Sequence, residues 1–159
     1  MADVVSPECR SRMMSGIRGK GTKPEVLVRK ALTGMGYRYR LHRRDLPGSP
    51  DIAMPGRKVA IFAQGCFWHM HQGCRFAKMP STRPDFWREK LEGNAARDQA
   101  TLAELQAMGW RSLWVWECAL RDELTLSDLP RALKAWIEGS EPFGTIAGPT
   151  CSAVNREAG

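Results

Sequence analysis

Long apolar runs are missing from this 159-residue sequence. None approaches the ~18 residues of a membrane-spanning helix, and the opening stretch MADVVSPECRSR has no apolar core of the kind a secretory signal needs. The expected compartment is therefore the cytoplasm, without a membrane partner. Internal repeats are absent too, which excludes a repeat array. A disulfide framework is equally unsupported, because the five cysteines are odd in number and interleaved with histidine. That pattern fits metal ligation or free thiols. Cys66, Cys74 and Cys118 form a set, whereas Cys9 and Cys151 are incidental. With 43% hydrophobic residues the chain can bury one real core, but it is too short for two ordinary domains.

What is present is unevenly placed. The formal charge is +7, and residues 1 to 50 hold 11 Lys/Arg against 4 Asp/Glu, so the whole excess lies in the first third. A concentrated basic segment suits a polyanion such as DNA or RNA, the alternative being a solvated surface or a loose tail. SRMMSGIRGKGTKPE, rich in glycine and cations, reads as an arm. Thr22 and Glu25 then make a capping box with Pro24 in the first turn, and Val28, Ala31, Leu32 and Met35 follow at helical spacing. This helix should end between Gly34 and Gly36.

YRYRL at 37 to 41 alternates like an edge strand. DIAM and RKVAIFA read as two strands joined at Pro55-Gly56. Pro84 to Met108 is helical with an expected break at Gly93-Asn94, Phe86, Trp87 and Leu91 sharing one face, and Gly109 stops it. RSLWVW at 111 to 116 is an apolar strand and LPRALKAWIEG a final helix. From residue 140 onward Gly, Pro, Ser and Thr dominate, so a poorly ordered tail is expected. The order of elements describes an α/β domain with a mixed sheet. Its expected parts are a basic arm over residues 1–22, a core domain over 23–139 and a flexible tail over 140–159.

GCFWHMHQGC at 65 to 74 carries the densest chemistry. Cys66, His71 and Cys74 give C-x4-H-x2-C, and Cys118, directly after the strand at 111 to 116, is the obvious fourth ligand for a tetrahedral zinc. Spacing alone leaves His69 as a possible substitute for His71. A His69 free of metal would suit proton transfer near neutral pH. Asp51 stands at the start of a strand, where a carboxylate can hold Mg2+ against a phosphate. Glu25 and Asp98 have ordinary alternatives, as a capping residue and as a helix N-terminal charge. Phe67 and Trp68 point to opposite sides if the segment is extended, so either both faces are buried or one ring is available to stack on bases. Met13 and Met14, apolar among cations, suit insertion into a groove or a small docking patch.

Together these residues resemble the very short patch repair endonucleases, bacterial enzymes that nick DNA beside a T:G mismatch left by deamination of 5-methylcytosine. The likeness runs from about Arg10 to Leu120. It comprises the arm around Met14, TKPE, LPGSPD, GCFWH, TRPDFW, NAARD and WECAL. It implies a restriction-endonuclease-like α/β core, a mixed β-sheet flanked by helices, with a structural zinc site. Cys66, His71, Cys74 and Cys118 match the Zn2+ ligands, which puts His71 and not His69 on the metal. Asp51 matches the Mg2+-binding carboxylate, aided by the main-chain carbonyl of Ala63. His69 matches the histidine that activates water, Asp98 the carboxylate orienting it, and Glu25 an acid organising metal-bound water. Phe67 and Trp68 match aromatics that wedge into the duplex, and Met14 the arm residue entering from the minor groove.

Implied partners are double-stranded DNA with a T:G mismatch, mismatch-repair proteins and a repair DNA polymerase. The expected species is a monomer associated with the bacterial nucleoid. One departure stands out: where many members have a histidine before GCFWH, this chain has Gln64, which cannot carry a positive charge or shuttle a proton. Three readings follow, namely a nicking endonuclease, a zinc-stabilised mismatch-binding protein with weak or no cleavage because of Gln64, and a restriction enzyme cutting both strands of an intact site.

Overall fold

Helix α1, Lys23–Gly34, buries Val28 and Leu32 on one stripe and closes as a glycine-terminated helix. Gly36 takes φ 85°, and the Tyr37 N–H returns to the Leu32 carbonyl at 3.1 Å. The computed structural model describes residues 23–71 and 74–149. The arm of residues 1–22, with Met13, Met14, Cys9 and Thr22 of the capping box, and Cys151 lie outside the described residues.

Five strands form one mixed sheet in the order β1-β2-β3-β4-β5: β1 Arg40–Leu41, β2 Ile52–Met54, β3 Val59–Gln64, β4 Arg111–Trp116 and β5 Phe143–Ile146. The expected strand over 37 to 41 shrinks to two edge residues. β1, β2 and β3 are antiparallel, the last pair joined by the turn at Pro55-Gly56, while β3–β4 and β4–β5 are parallel. The β3–β4 crossover contains α2, Pro84–Ala107; α3, Glu117–Arg121, and α4, Glu123–Ile137, precede β5.

Alternation along the strands divides the core in two. Ile52, Met54, Val59, Ile61, Leu113 and Val115 face Val28 and Leu32 of α1 and Leu129, Leu133 and Ile137 of α4. Ala53, Ala60, Phe62, Trp114 and Trp116 face the other way, towards Leu105 of α2 and towards Cys66 and Cys118. Covering both faces explains why β3 and β4 read as continuous apolar runs. Each large side chain so buried contributes about 1.5–3 kcal/mol, so the central strands are the least negotiable part of the chain.

Three expectations need correction. α2 runs unbroken through Gly93 and Asn94, because Asn94 spends its side chain on the Trp68 carbonyl, 3.0 Å away, rather than capping a new helix. α4 starts at Glu123, not Leu129: Asp122 caps it by accepting the Thr125 N–H at 2.8 Å, and Pro130 lies inside the helix. The segment from residue 140, expected to be unstructured, contributes β5 over Phe143–Ile146, since its backbone can complete the exposed edge of β4 whatever its composition. Gly144 permits this, as a Cβ there would collide with the indole Nε1 of Trp136.

Candidate active site and metal centre

β3 and β4 end side by side, with Gln64 in register with Trp116. The chain leaving β3 turns at once, the His69 N–H donating to the Gly65 carbonyl at 3.1 Å and the His71 N–H to the Cys66 carbonyl at 2.9 Å. The chain leaving β4 enters α3, which carries Cys118. Parallel pairing thus brings Cys66 and Cys118 together across 52 residues, with the Cys118 N–H donating to the Cys66 sulfur at 3.3 Å.

The donor atoms of Cys66, His71, Cys74 and Cys118 lie within 4.8 Å of one another, a buried group able to hold a metal ion. The Gly148 N–H points at the Cys118 sulfur at 3.3 Å, and His71 stacks flat on Trp116 with ring centroids 3.9 Å apart. The Cys118 thiol beside it, and burial, hold the Cys66 thiol well above the ordinary thiol range. Only a cation would make thiolates tolerable there. Of the two neighbouring histidines, His71 belongs to this group of donor atoms and His69 does not.

His69 faces α2 instead. Its Nδ1 lies 2.6 Å from Oδ2 of Asp98, and Asn94, one helical turn earlier, anchors the same loop through Trp68. Asp51, next to β2, accepts the Ala63 N–H at 2.8 Å, joining neighbouring strands through a carboxylate. Its pKa is raised from 3.8 to about 6, first by burial and further by the charge of Glu25, against the Ala63 N–H and the positive fields of His42 and His69. Glu25, on the inward face of α1, is only 1% exposed; its oxygens meet Nε2 of His42 at 2.9 Å and the Arg29 guanidinium at 3.4 Å. Glu25, His42 and Asp51 offer donor atoms within 4.8 Å of one another, a second group able to hold an ion. Gln64, the last residue of β3, is buried between the two groups in sequence.

All of Glu25, Asp51, Ala63, Gln64, His69 and Asp98 therefore gather around one end of the sheet. Ala63 engages Asp51 through its N–H. His42 escaped the sequence reading: it sits in the charged run HRRD, where a cation reads as solvated surface, although its position nine residues before Asp51 across a hairpin was a usable signal.

The aromatic expectation is corrected as well. Phe67 and Trp68 lie in a turn, not an extended strand, so their rings meet edge to face at 5.1 Å on the same side. Trp87 of α2 completes the cluster, 5.5 Å from Phe67 and 6.0 Å from Trp68, and Phe86 adjoins it at 47% exposure. Of Phe86, Trp87 and Leu91, which share one face of α2, only Leu91 is buried. Phe86 and Trp87 extend a half-exposed aromatic ledge beside Phe67 and Trp68.

Known proteins resemble this chain over most of its length. Residues 2–75 match the family model described as DNA mismatch endonuclease Vsr. The chain is 52% identical over 122 residues to the type II nicking enzyme V.XorIIP of Xanthomonas oryzae pv. oryzae, covering 77% of this chain and 89% of that one. It is 43% identical over 141 residues to the DNA mismatch endonuclease Vsr of Escherichia coli, covering 87% and 90%. The type II nicking enzyme V.NmeAIP of Neisseria meningitidis is 41% identical over 123 residues, covering 77% and 87%. An α/β domain with these relatives and this cluster of carboxylates and histidine is a DNA endonuclease. The chain belongs to the Vsr family of mismatch endonucleases.

Proposed function

We propose that this endonuclease nicks one strand 5′ to the thymine of a T:G mismatch arising from 5-methylcytosine deamination, through a restriction-endonuclease-like core. The observation that carries the reading is the His69–Asp98 pair beside the buried Asp51 carboxylate. The names of the relatives, one a mismatch endonuclease and several nicking enzymes, support it.

The donor sets fit two cations. Three thiols and an imidazole, two of the sulfurs already receiving N–H donors, suit Zn2+ as a closed structural site. Asp51, with Glu25 beside it and the Ala63 backbone adjoining, suits Mg2+. When bound there, the divalent ion would polarise the scissile phosphate and stabilise the departing oxygen.

The chain's own residues do the rest. Asp98 accepts the Nδ1 proton of His69, which fixes the tautomer with Nε2 bare and able to take the proton of an attacking water. Attack breaks the P–O3′ bond and leaves a 5′-phosphate. Glu25 orients water on the ion. Phe67 and Trp68, on one ledge with Trp87, present flat apolar surface for unstacking a pair already weakened by mismatch. Met14 and the basic arm of residues 1–22 would grip the minor-groove side, ahead of the catalytic domain at 23–139. The working form is a cytoplasmic monomer on nucleoid DNA, handing its nick to mismatch-repair proteins and a repair polymerase.

The decisive experiment is a nicking assay on T:G and fully paired duplexes with Mg2+. Asp51→Asn should abolish nicking and spare binding. Equal cleavage of paired duplex points to a restriction enzyme, and binding without cleavage by the natural protein points to the Gln64-limited binder.

A further inference from the structure

The buried Glu25 and the half-buried Asp51 bring two carboxylates within 4.8 Å of each other, which electrostatics opposes unless a cation or a proton joins them. Arg29 offsets part of this, but at 3.4 Å and from a third-exposed side chain it touches Glu25 alone. His42 also contacts Glu25, through Nε2 at 2.9 Å. Its N–H donates to the Asp51 carbonyl at 3.1 Å, continuing the β1–β2 pairing by one step, and its φ of 49° turns the ring inward to Glu25. The backbone of His42 is thus tied to one carboxylate residue and its ring to the other.

Three donors within 4.8 Å match what a single ion needs, because ligands at roughly 2.1 Å lie no more than about 4.2 Å apart across it. A slight inward rotation closes the difference. We infer that His42 is a third ligand of the ion held by Asp51 and Glu25, and that its nitrogen makes the site prefer Mn2+ over Mg2+; the inference rests on the proposed divalent ion at Asp51. Mg2+ takes oxygen donors almost exclusively, whereas an imidazole favours ions further along the transition series. His42 would thereby set which ion serves the nuclease, a choice made by a residue on the far side of the hairpin from the Ala63 strand.

The alternative is that His42 only hydrogen-bonds Glu25. His42→Gln separates the two, since an amide can still reach Glu25 but supplies no imidazole nitrogen; His42→Asn serves as a second variant if folding suffers. Zinc-loaded full-length protein is titrated with Mn2+ and with Mg2+ by calorimetry, and the Mn2+ complex is examined by pulsed electron paramagnetic resonance. Expected is a directly bound nitrogen coupling that disappears in His42→Gln and persists in His69→Gln, with Mn2+ affinity falling about tenfold while that for Mg2+ changes less than about threefold. A coupling that survives in His42→Gln, or equal losses for both ions, overturns the inference. Asp51→Asn distinguishes the two levels: Mn2+ binding to that variant as strong as to the natural protein sinks the proposed ion site itself, whereas lost binding there with an unaffected His42→Gln sinks only the part assigned to His42.

Discussion

The imidazole of His69 and the carboxylate of Asp98 meet at 2.6 Å although 29 residues separate them, one on the loop after β3 and the other midway along α2. The bond fixes the orientation of the ring, which the proposed role of His69 as general base requires. Asp98→Asn should therefore lower the single-turnover nicking rate by about two to four powers of ten, with affinity for the mismatched duplex unchanged. An equal loss of binding and rate would mean that Asp98 only supports the fold.

Asp51 makes stability depend on pH. Its folded pKa of about 6 lies above the ordinary 3.8, so between those values the folded protein holds the extra proton. Stability from this group is present at low pH and is lost as pH rises through about 6, a change of roughly 3 kcal/mol. In zinc-loaded protein free of added divalent ions, Asp51→Asn should be the more stable chain at about pH 7.5 and converge with the natural one near pH 4. Denaturant midpoints across that range give the test, and a constant gap would show that burial does not govern this carboxylate.

Metal content should separate the two neighbouring histidines. His71→Ala is expected to release zinc and cost several kcal/mol, because folding and binding are linked at such a site. His69→Ala should keep its zinc and its melting temperature while losing nicking. Elemental analysis alongside calorimetry would reveal the opposite assignment if His69→Ala were the variant that lost zinc.

Gln64 ends β3 almost fully buried and in register with Trp116. Gln64→His restores a group able to carry charge towards a phosphate, and the nicking rate on a T:G duplex should rise about tenfold. A rate that stays level or falls would show that the surroundings have adapted to the amide.

Gly48, in LPGSPD, has φ 72° and would place a Cβ 2.5 Å from Cγ2 of Thr101 on α2. Gly48→Ala should cost about 2–4 kcal/mol, read as a lowered thermal midpoint, and Thr101→Ser in the same chain should recover the steric part but not the backbone part. Full recovery would mean that the left-handed backbone is not strained.

Much of the site was legible because its chemistry is local. Cys66, His71 and Cys74 share one loop, and the apolar runs of β3 and β4 announce strands covered on both faces. His42 was not legible, since a histidine among arginines looks like surface until the hairpin folds it onto Glu25. The exposure of Phe86 and Trp87 was not legible either: helical spacing puts them on one face with Leu91 but cannot say where that face leaves the core.

By itself the sequence determined the class of fold and the membership of the thiol–imidazole cluster, because periodicity and ligand spacing depend only on neighbours along the chain. Tertiary structure alone decided which groups share an electrostatic environment. Parallel pairing of β3 with β4 joined Cys66 to Cys118, α2 carried Asp98 to His69, and the burial of Asp51, with the charge of Glu25 beside it, raised a carboxylate pKa that no local pattern encodes. Burial and charge act through space, over distances that sequence separation does not measure.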